Sequence, residues 1–209
     1  MLWTKDFLTL PDSKPTALIR LLSIKKKMTA DPNFAAQYTE KIEDYITKGY
    51  ARKITLEEQK ISQKNVWYLP HFAVKNENKP GKLRLIFDAA AKTRGTSLND
   101  VLLKGPDLLQ PLMSVLFKFR QKEIAICGDI REMFHQILIR TVDQPAQRFL
   151  WKEHPTDREP NVFQMTAMTF RAASSPCSAY YVKNLNATRF GQSLPNAMKS
   201  TTGTTWMII

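Results

Sequence analysis

The chain has two cysteines, three histidines, no aspartate or glutamate after Glu159, and no apolar run near the about 20 residues that a membrane-spanning helix needs. Each scarcity excludes something. Cys127 and Cys177 lie far apart outside any motif, so no disulfide framework is expected, and His71, His135 and His154 show no spacing suited to a zinc site. The N-terminus has no apolar core followed by a cleavage signature, and a soluble intracellular protein is the default expectation. The carboxylate-free end cannot contribute an acidic side chain to a site for a hard cation, whose preferred ligands are oxygen anions.

What is present is positive charge. There are 31 Lys and Arg against 19 Asp and Glu, a formal balance of +12, and this favours a polyanionic partner: nucleic acid or an anionic membrane surface. A chain of 209 residues fits one domain or two small ones and can bury a sizeable core.

The spacing predicts a helix over 15–28 with Leu18, Leu21, Leu22 and Met28 on one face and Lys25, Lys26 and Lys27 solvated or in the last turn. A second helix is better marked. Asp31 is placed to cap it, Pro32 suits its first turn, Phe34, Tyr38, Ile42, Tyr45 and Ile46 recur at helical spacing, and Gly49 ends it. From Trp67 the period changes to that of strands at 67–74 and 83–88, with Pro80-Gly81 as a turn, giving a β-hairpin crowded by Lys75, Lys79, Lys82 and Arg84. Such a hairpin is suited either to solvation or to closing over phosphates. A helix over 107–120 follows, with Leu108, Leu112, Val115, Leu116 and Phe119 facing the core, then strands at 147–151 and 162–169 and a helix opened by Ser175-Pro176.

Between them lies the stretch that bears chemistry. Ile124, Ala125, Ile126 and Cys127 read as a buried strand leading through Gly128 to Asp129. A carboxylate at the end of a buried strand must be paired, hydrogen-bonded or metal-bound. Asp129 reads either as the cap of the following turn or as a ligand of a hard cation bridging to a phosphate substrate.

Several segments, in order, resemble the reverse transcriptases of LTR retrotransposons, most closely the Bel/Pao type. They are Tyr68-Leu-Pro-His-Phe-Ala-Val74, Lys82-Leu-Arg-Leu-Ile-Phe-Asp-Ala-Ala-Ala-Lys92, Ser97-Leu-Asn-Asp100, Gly105-Pro-Asp-Leu108, Gly128-Asp-Ile-Arg-Glu-Met-Phe-His-Gln-Ile137 and Ser175-Pro-Cys-Ser-Ala179. Arg20-Leu-Leu-Ser23 and Asp44-Tyr-Ile-Thr-Lys-Gly-Tyr50 resemble the segment that precedes the polymerase body in that type.

The resemblance implies an α+β right-hand polymerase fragment: a helical segment over 1–66, fingers over 67–122 and a partial palm over 123–209. It assigns Asp129 to the first catalytic aspartate, holding Mg²⁺ (or Mn²⁺ as substitute) with the Ile130 carbonyl, so that the ions activate a primer 3′-hydroxyl against a deoxynucleoside triphosphate. Phe134 falls on the bulky residue beneath the nucleotide sugar, Arg84 on the triphosphate-binding arginine, with Lys75, Lys79 or Lys82 beside it, and Phe170 on the segment against the incoming nucleotide. Without the resemblance Phe134 reads equally as a core aromatic. Gln164 reads as a strand residue. The implied partners are an RNA template, a DNA primer and dNTP, no membrane, and the capsid, protease, RNase H and integrase of the intact polyprotein, in the cytoplasm within a virus-like particle or in the nucleus.

Two departures stand against full activity. The family has glycine after the residue matched by Phe170, where this chain has Arg171, whose long side chain is expected to obstruct the site. The second palm motif, with two adjacent aspartates, is replaced by Met198-Lys-Ser-Thr-Thr-Gly-Thr-Thr-Trp-Met-Ile-Ile209, and Asp88, Asp100 and Asp143 are substitutes in principle, although none carries the missing role in the family. The expectation is a truncated, degenerate reverse-transcriptase domain. The alternatives are a non-catalytic nucleic-acid-binding or capsid-interaction remnant and an unselected gene fragment with an incomplete core.

Overall fold

The computed structural model describes residues 1–5, 10–60, 65–75, 83–121, 123–124, 128–153 and 157–190. The chain is an α+β protein. In order, its elements are α1 (Lys14–Ala30), α2 (Pro32–Thr47), β1 (Ala51–Lys53), α3 (Leu56–Lys60), β2 (His71–Lys75), β3 (Leu83–Phe87), α4 (Leu112–Phe119), β4 (Arg148–Trp151), β5 (Asn161–Met165) and α5 (Ser175–Phe190). Short 3-10 turns cover Leu98–Val101, Met133–Gln136 and Gln144–Gln147.

Helix α2 forms as its residues predict. The Asp31 carboxylate accepts from the Phe34 amide at 2.9 Å, Pro32 opens the helix, and Phe34, Tyr38 and Ile42 are buried. Gly49, at φ +72°, turns the chain out of the helix into β1. Helix α1 differs in its face: Ala17, Leu21 and Ile24 are buried, whereas Leu22 is 54% exposed. Lys25 and Lys27 are not merely solvated, because their ammonium groups sit 4.3 Å from the Trp151 ring centroid and 4.4 Å from that of Phe34.

Two antiparallel sheets form the other layer. One has the order β1-β5-β4, and the other is the β2-β3 hairpin, with His71 opposite Phe87 and Lys75 opposite Leu83. The segment Trp67–Leu69 runs beside β4: the Leu69 amide donates to the Arg148 carbonyl at 2.7 Å, and the Arg148 amide to the Trp67 carbonyl at 3.0 Å. This seam joins the two sheets. Helix α1 packs on α2, β2 and β4, while α2 packs on β3 and β1. Gln164 is buried in β5 and bonds Arg148 and Gln144, a strand residue as read. The turn at Pro80-Gly81 lies outside the described residues.

Several expectations require correction. Helix α4 is shorter than 107–120 and buries none of its residues: Leu112, Met113, Phe117 and Phe119 are 46–65% exposed. Of its apolar side chains Val115 and Leu116 are half-buried. Ile124 is 80% exposed rather than buried, and Gly128, Asp129 and Ile130 belong to no strand; residues 125–127 lie outside the described residues. Strand β1 and helix α3 were not expected, since Ala-Arg-Lys has no apolar alternation and Leu56–Lys60 is too short for a helical stripe.

At the centre is His71, which is 3% exposed. Its Nδ1 lies 2.5 Å from the Tyr38 hydroxyl of α2 and its Nε2 2.9 Å from the Leu150 carbonyl of β4. The carbonyl can only accept, so Nε2 carries the proton, and Nδ1 accepts from the tyrosine. Burial pushes the imidazole pKa down to about 4. A depressed histidine pKa means that the unfolded chain binds a proton first, so stability present at pH 7 falls as pH drops from about 6.5 towards 4. The expected loss over that window is about 3 kcal/mol. Urea unfolding across it should show a clearly larger loss in wild type than in His71→Asn.

Candidate functional site

A cleft of about 560 Å³ opens between α2, β3, the stretch 129–135 and Phe170. Its lining joins segments far apart in sequence: Lys41, Asp44 and Tyr45 from α2, Arg84 from β3, Asp129, Ile130, Glu132, Phe134 and His135, and Phe170. The Arg84 guanidinium carbon lies 4.3 Å from the Phe170 ring centroid, and Phe134 meets Phe170 edge to face at 5.1 Å. Arg84 is held by the hairpin register, opposite Val74.

Lys75 is elsewhere. It is exposed on β2 with its ammonium 3.9 Å from the Asp31 carboxylate, and it does not line the cleft. Lys79 and Lys82 lie outside the described residues. The Arg171 side chain is exposed and is not part of the lining, so the expected obstruction does not occur; its backbone, however, sits at φ +80°, a conformation that favours glycine.

The stretch carrying Asp129 and Phe134 is tied to the helical segment at one point. Glu132 has a left-handed backbone, φ +52° and ψ +38°, that costs a non-glycine residue about 1 kcal/mol or more. Its carboxylate accepts from Lys48 Nζ at 2.6 Å and from the Tyr50 hydroxyl at 2.9 Å, and Lys48 also donates to Asp44 at 2.9 Å. The His135 ring stacks on Tyr50 at 5.0 Å and meets Tyr45 edge-on at 4.9 Å. The Lys48 bond holds the Glu132 carboxyl below the usual range, while burial holds the His135 imidazole below its own and so neutral at pH 7. Burial raises the Tyr45 phenol to about 12. None of Lys48, Tyr50, Glu132 or His135 was singled out as a site residue, although all lie within segments that carried the resemblance.

The donor set does not fit a resident divalent pair. Among the described residues no group of three or more His, Cys, Asp or Glu side chains is placed to hold a metal ion. Asp129 is exposed, and the other cleft carboxylates, Asp44 and Glu132, are bonded to Lys48. The acids weighed as substitutes have local roles. Asp88 accepts from the Ala90 amide, and Asp100 forms a capping box with Ser97. Asp143 takes the N-terminal ammonium at 2.6 Å, the Trp3 indole at 2.8 Å and Arg140 at 3.0 Å.

No protein-family model and no curated protein matches the chain. Among the described residues, no helix is long and apolar enough to cross a membrane.

Two expectations follow from this geometry. A carboxylate whose pKa is depressed by folding contributes stability above its unfolded value, near 4.3, that is lost as pH falls through the folded one. Glu132→Gln should therefore lower stability by about 0.5–1 kcal/mol at pH 7, with the difference from wild type vanishing below about pH 4 in denaturant titrations. Arg171→Gly should raise stability by up to about 1 kcal/mol, read as a higher urea midpoint, because it removes the left-handed strain.

Proposed function

We propose that this chain is the fingers and partial palm of a reverse-transcriptase-like polymerase of the Bel/Pao type, binding a deoxynucleoside triphosphate and nucleic acid in the cleft without completing catalysis on its own. The observation that carries the reading is the meeting of Arg84, Asp129, Phe134 and Phe170 in one cleft from three separate stretches of chain. Each has a part that its chemistry suits. Arg84 offers planar, fixed donors to phosphate oxygens, the edge-to-face pair of Phe134 and Phe170 offers an apolar wall to a sugar and base, and Asp129 stands free to face the 3′ end of a primer. The formal charge of +12 favours a nucleic-acid partner.

The same residues support binding rather than turnover. An in-line phosphoryl transfer between two divalent ions needs several carboxylate oxygens, and of the three carboxylates lining the cleft Asp44 and Glu132 are paired with Lys48, leaving Asp129. Mg²⁺ or Mn²⁺ belongs to the reading only with further acidic ligands.

The test is direct. Labelled dATP should bind the full chain, with affinity lost in Arg84→Gln, and its preference over ATP should disappear in Phe134→Ala. Primer extension on an RNA template with Mg²⁺ or Mn²⁺ should be absent. Extension abolished by Asp129→Ala would overturn the inactivity. Salt-sensitive polynucleotide binding indifferent to Arg84 and Phe134, without dATP binding, would instead favour the non-catalytic nucleic-acid-binding module.

A further inference from the structure

We infer that Lys41, on the helical segment preceding the hairpin, is the second cation of the cleft's phosphate-binding site and acts together with Arg84. This rests on the nucleotide-binding reading above and adds a group from α2, which the sequence marks only as a leading helix. Lys41, Asp44 and Tyr45 are spaced three and four residues apart, so they share one face of α2, and all three line the cleft.

The charge arrangement decides what Lys41 can do. Asp44, one turn along the helix, is its natural quencher, but the Asp44 carboxylate is held 2.9 Å from Lys48. Lys48 also takes Glu132 at 2.6 Å, so the two carboxylates nearest this wall are spent on each other's counter-ion. Among the described residues, Lys41 and Arg84 have no carboxylate within ion-pair distance. Lys41 is half-buried and lines the cleft, and a long lysine side chain can pack its stem while its ammonium stays in solvent. Two cations without a carboxylate partner, one a planar fork on the hairpin and one a point charge on the helix, line the same cleft as the Phe134–Phe170 pair. A polyphosphate chain attached to a flat, apolar body matches that order of groups.

Lys75, the hairpin lysine among the described residues, does not take this place. Lys75 is directed at Asp31 and lies outside the lining.

The experiment measures binding of inorganic tripolyphosphate and of dATP to the full chain by calorimetry, in EDTA, for wild type, Lys41→Gln, Lys41→Arg, Arg84→Gln and, as a control for net charge, Lys26→Gln on the exposed side of α1. Lys41→Gln should weaken both ligands about tenfold, close to Arg84→Gln, while Lys41→Arg and Lys26→Gln should stay within about twofold of wild type. Equal weakening by Lys26→Gln would reduce the effect to bulk charge and overturn the assignment. Loss of binding in Arg84→Gln with none in Lys41→Gln overturns it while leaving the nucleotide reading intact. Absence of binding by wild type, with both variants equal to it, overturns that reading and this inference together. Unchanged urea midpoints for the variants show that the comparison concerns the site and not the fold.

Discussion

The hydrogen bonds on both nitrogens of one buried histidine hold the layers in register. His71 joins three elements that are distant in sequence: Tyr38 of α2 on one ring nitrogen, the Leu150 carbonyl of β4 on the other, and its own strand β2. Around it, Phe87, Phe149 and Trp151 bring rings to 5.7–6.1 Å of the imidazole. A buried polar group without partners destabilises a core, whereas a fully bonded one selects a single arrangement. Because α2 is locked to the sheet here, its next turns, with Lys41, Asp44 and Tyr45, are presented to the cleft at a fixed distance from β3.

From that lock the site extends along α2 to Lys48 and Tyr50, which hold Glu132 in a backbone conformation it would not adopt freely. The leading helical segment is thus structurally continuous with the stretch bearing Asp129 and Phe134. The expected boundaries after residues 66 and 122 do not mark mechanical divisions of the chain. The contacts that shape the cleft run across each of those boundaries.

Local chemistry made much of this legible. Asp31-Pro32 and the stripe of Phe34, Tyr38 and Ile42 specify α2 outright, and the alternation of Leu83, Leu85 and Phe87 specifies β3. The pattern misled where tertiary context outweighs it. The apolar residues of 107–120 suggest a core-facing helix, yet apolar periodicity states only that a face needs cover, not that the described chain provides it. Similarly, the apolar run before Asp129 predicts burial, but Ile124 meets no packed layer. In the cleft, Arg84 could be singled out as part of a basic hairpin and Phe134 and Phe170 only by the resemblance, whereas Lys48 and Glu132 could not, since their importance arises from a contact spanning 84 positions. Strand β1 escapes for the same reason: Ala51 opposite Met165 is a pairing that only the fold brings about.

Helix α4 has a consequence for how the molecule holds together as a material object. Eight residues are fewer than a helix needs to persist on its own in water, and none of these is buried. Its hydrogen bonds are therefore coupled only weakly to the layer organised by His71, and opening this turn of chain releases little apolar surface beyond that of the half-buried Val115 and Leu116. Denaturant, which acts through newly exposed surface, barely distinguishes the open from the closed helix. The burial pattern thus leads one to expect two melting regimes: a cooperative one for the α1, α2 and sheet layers, and a shallow one confined to Leu112–Phe119, only weakly sensitive to denaturant.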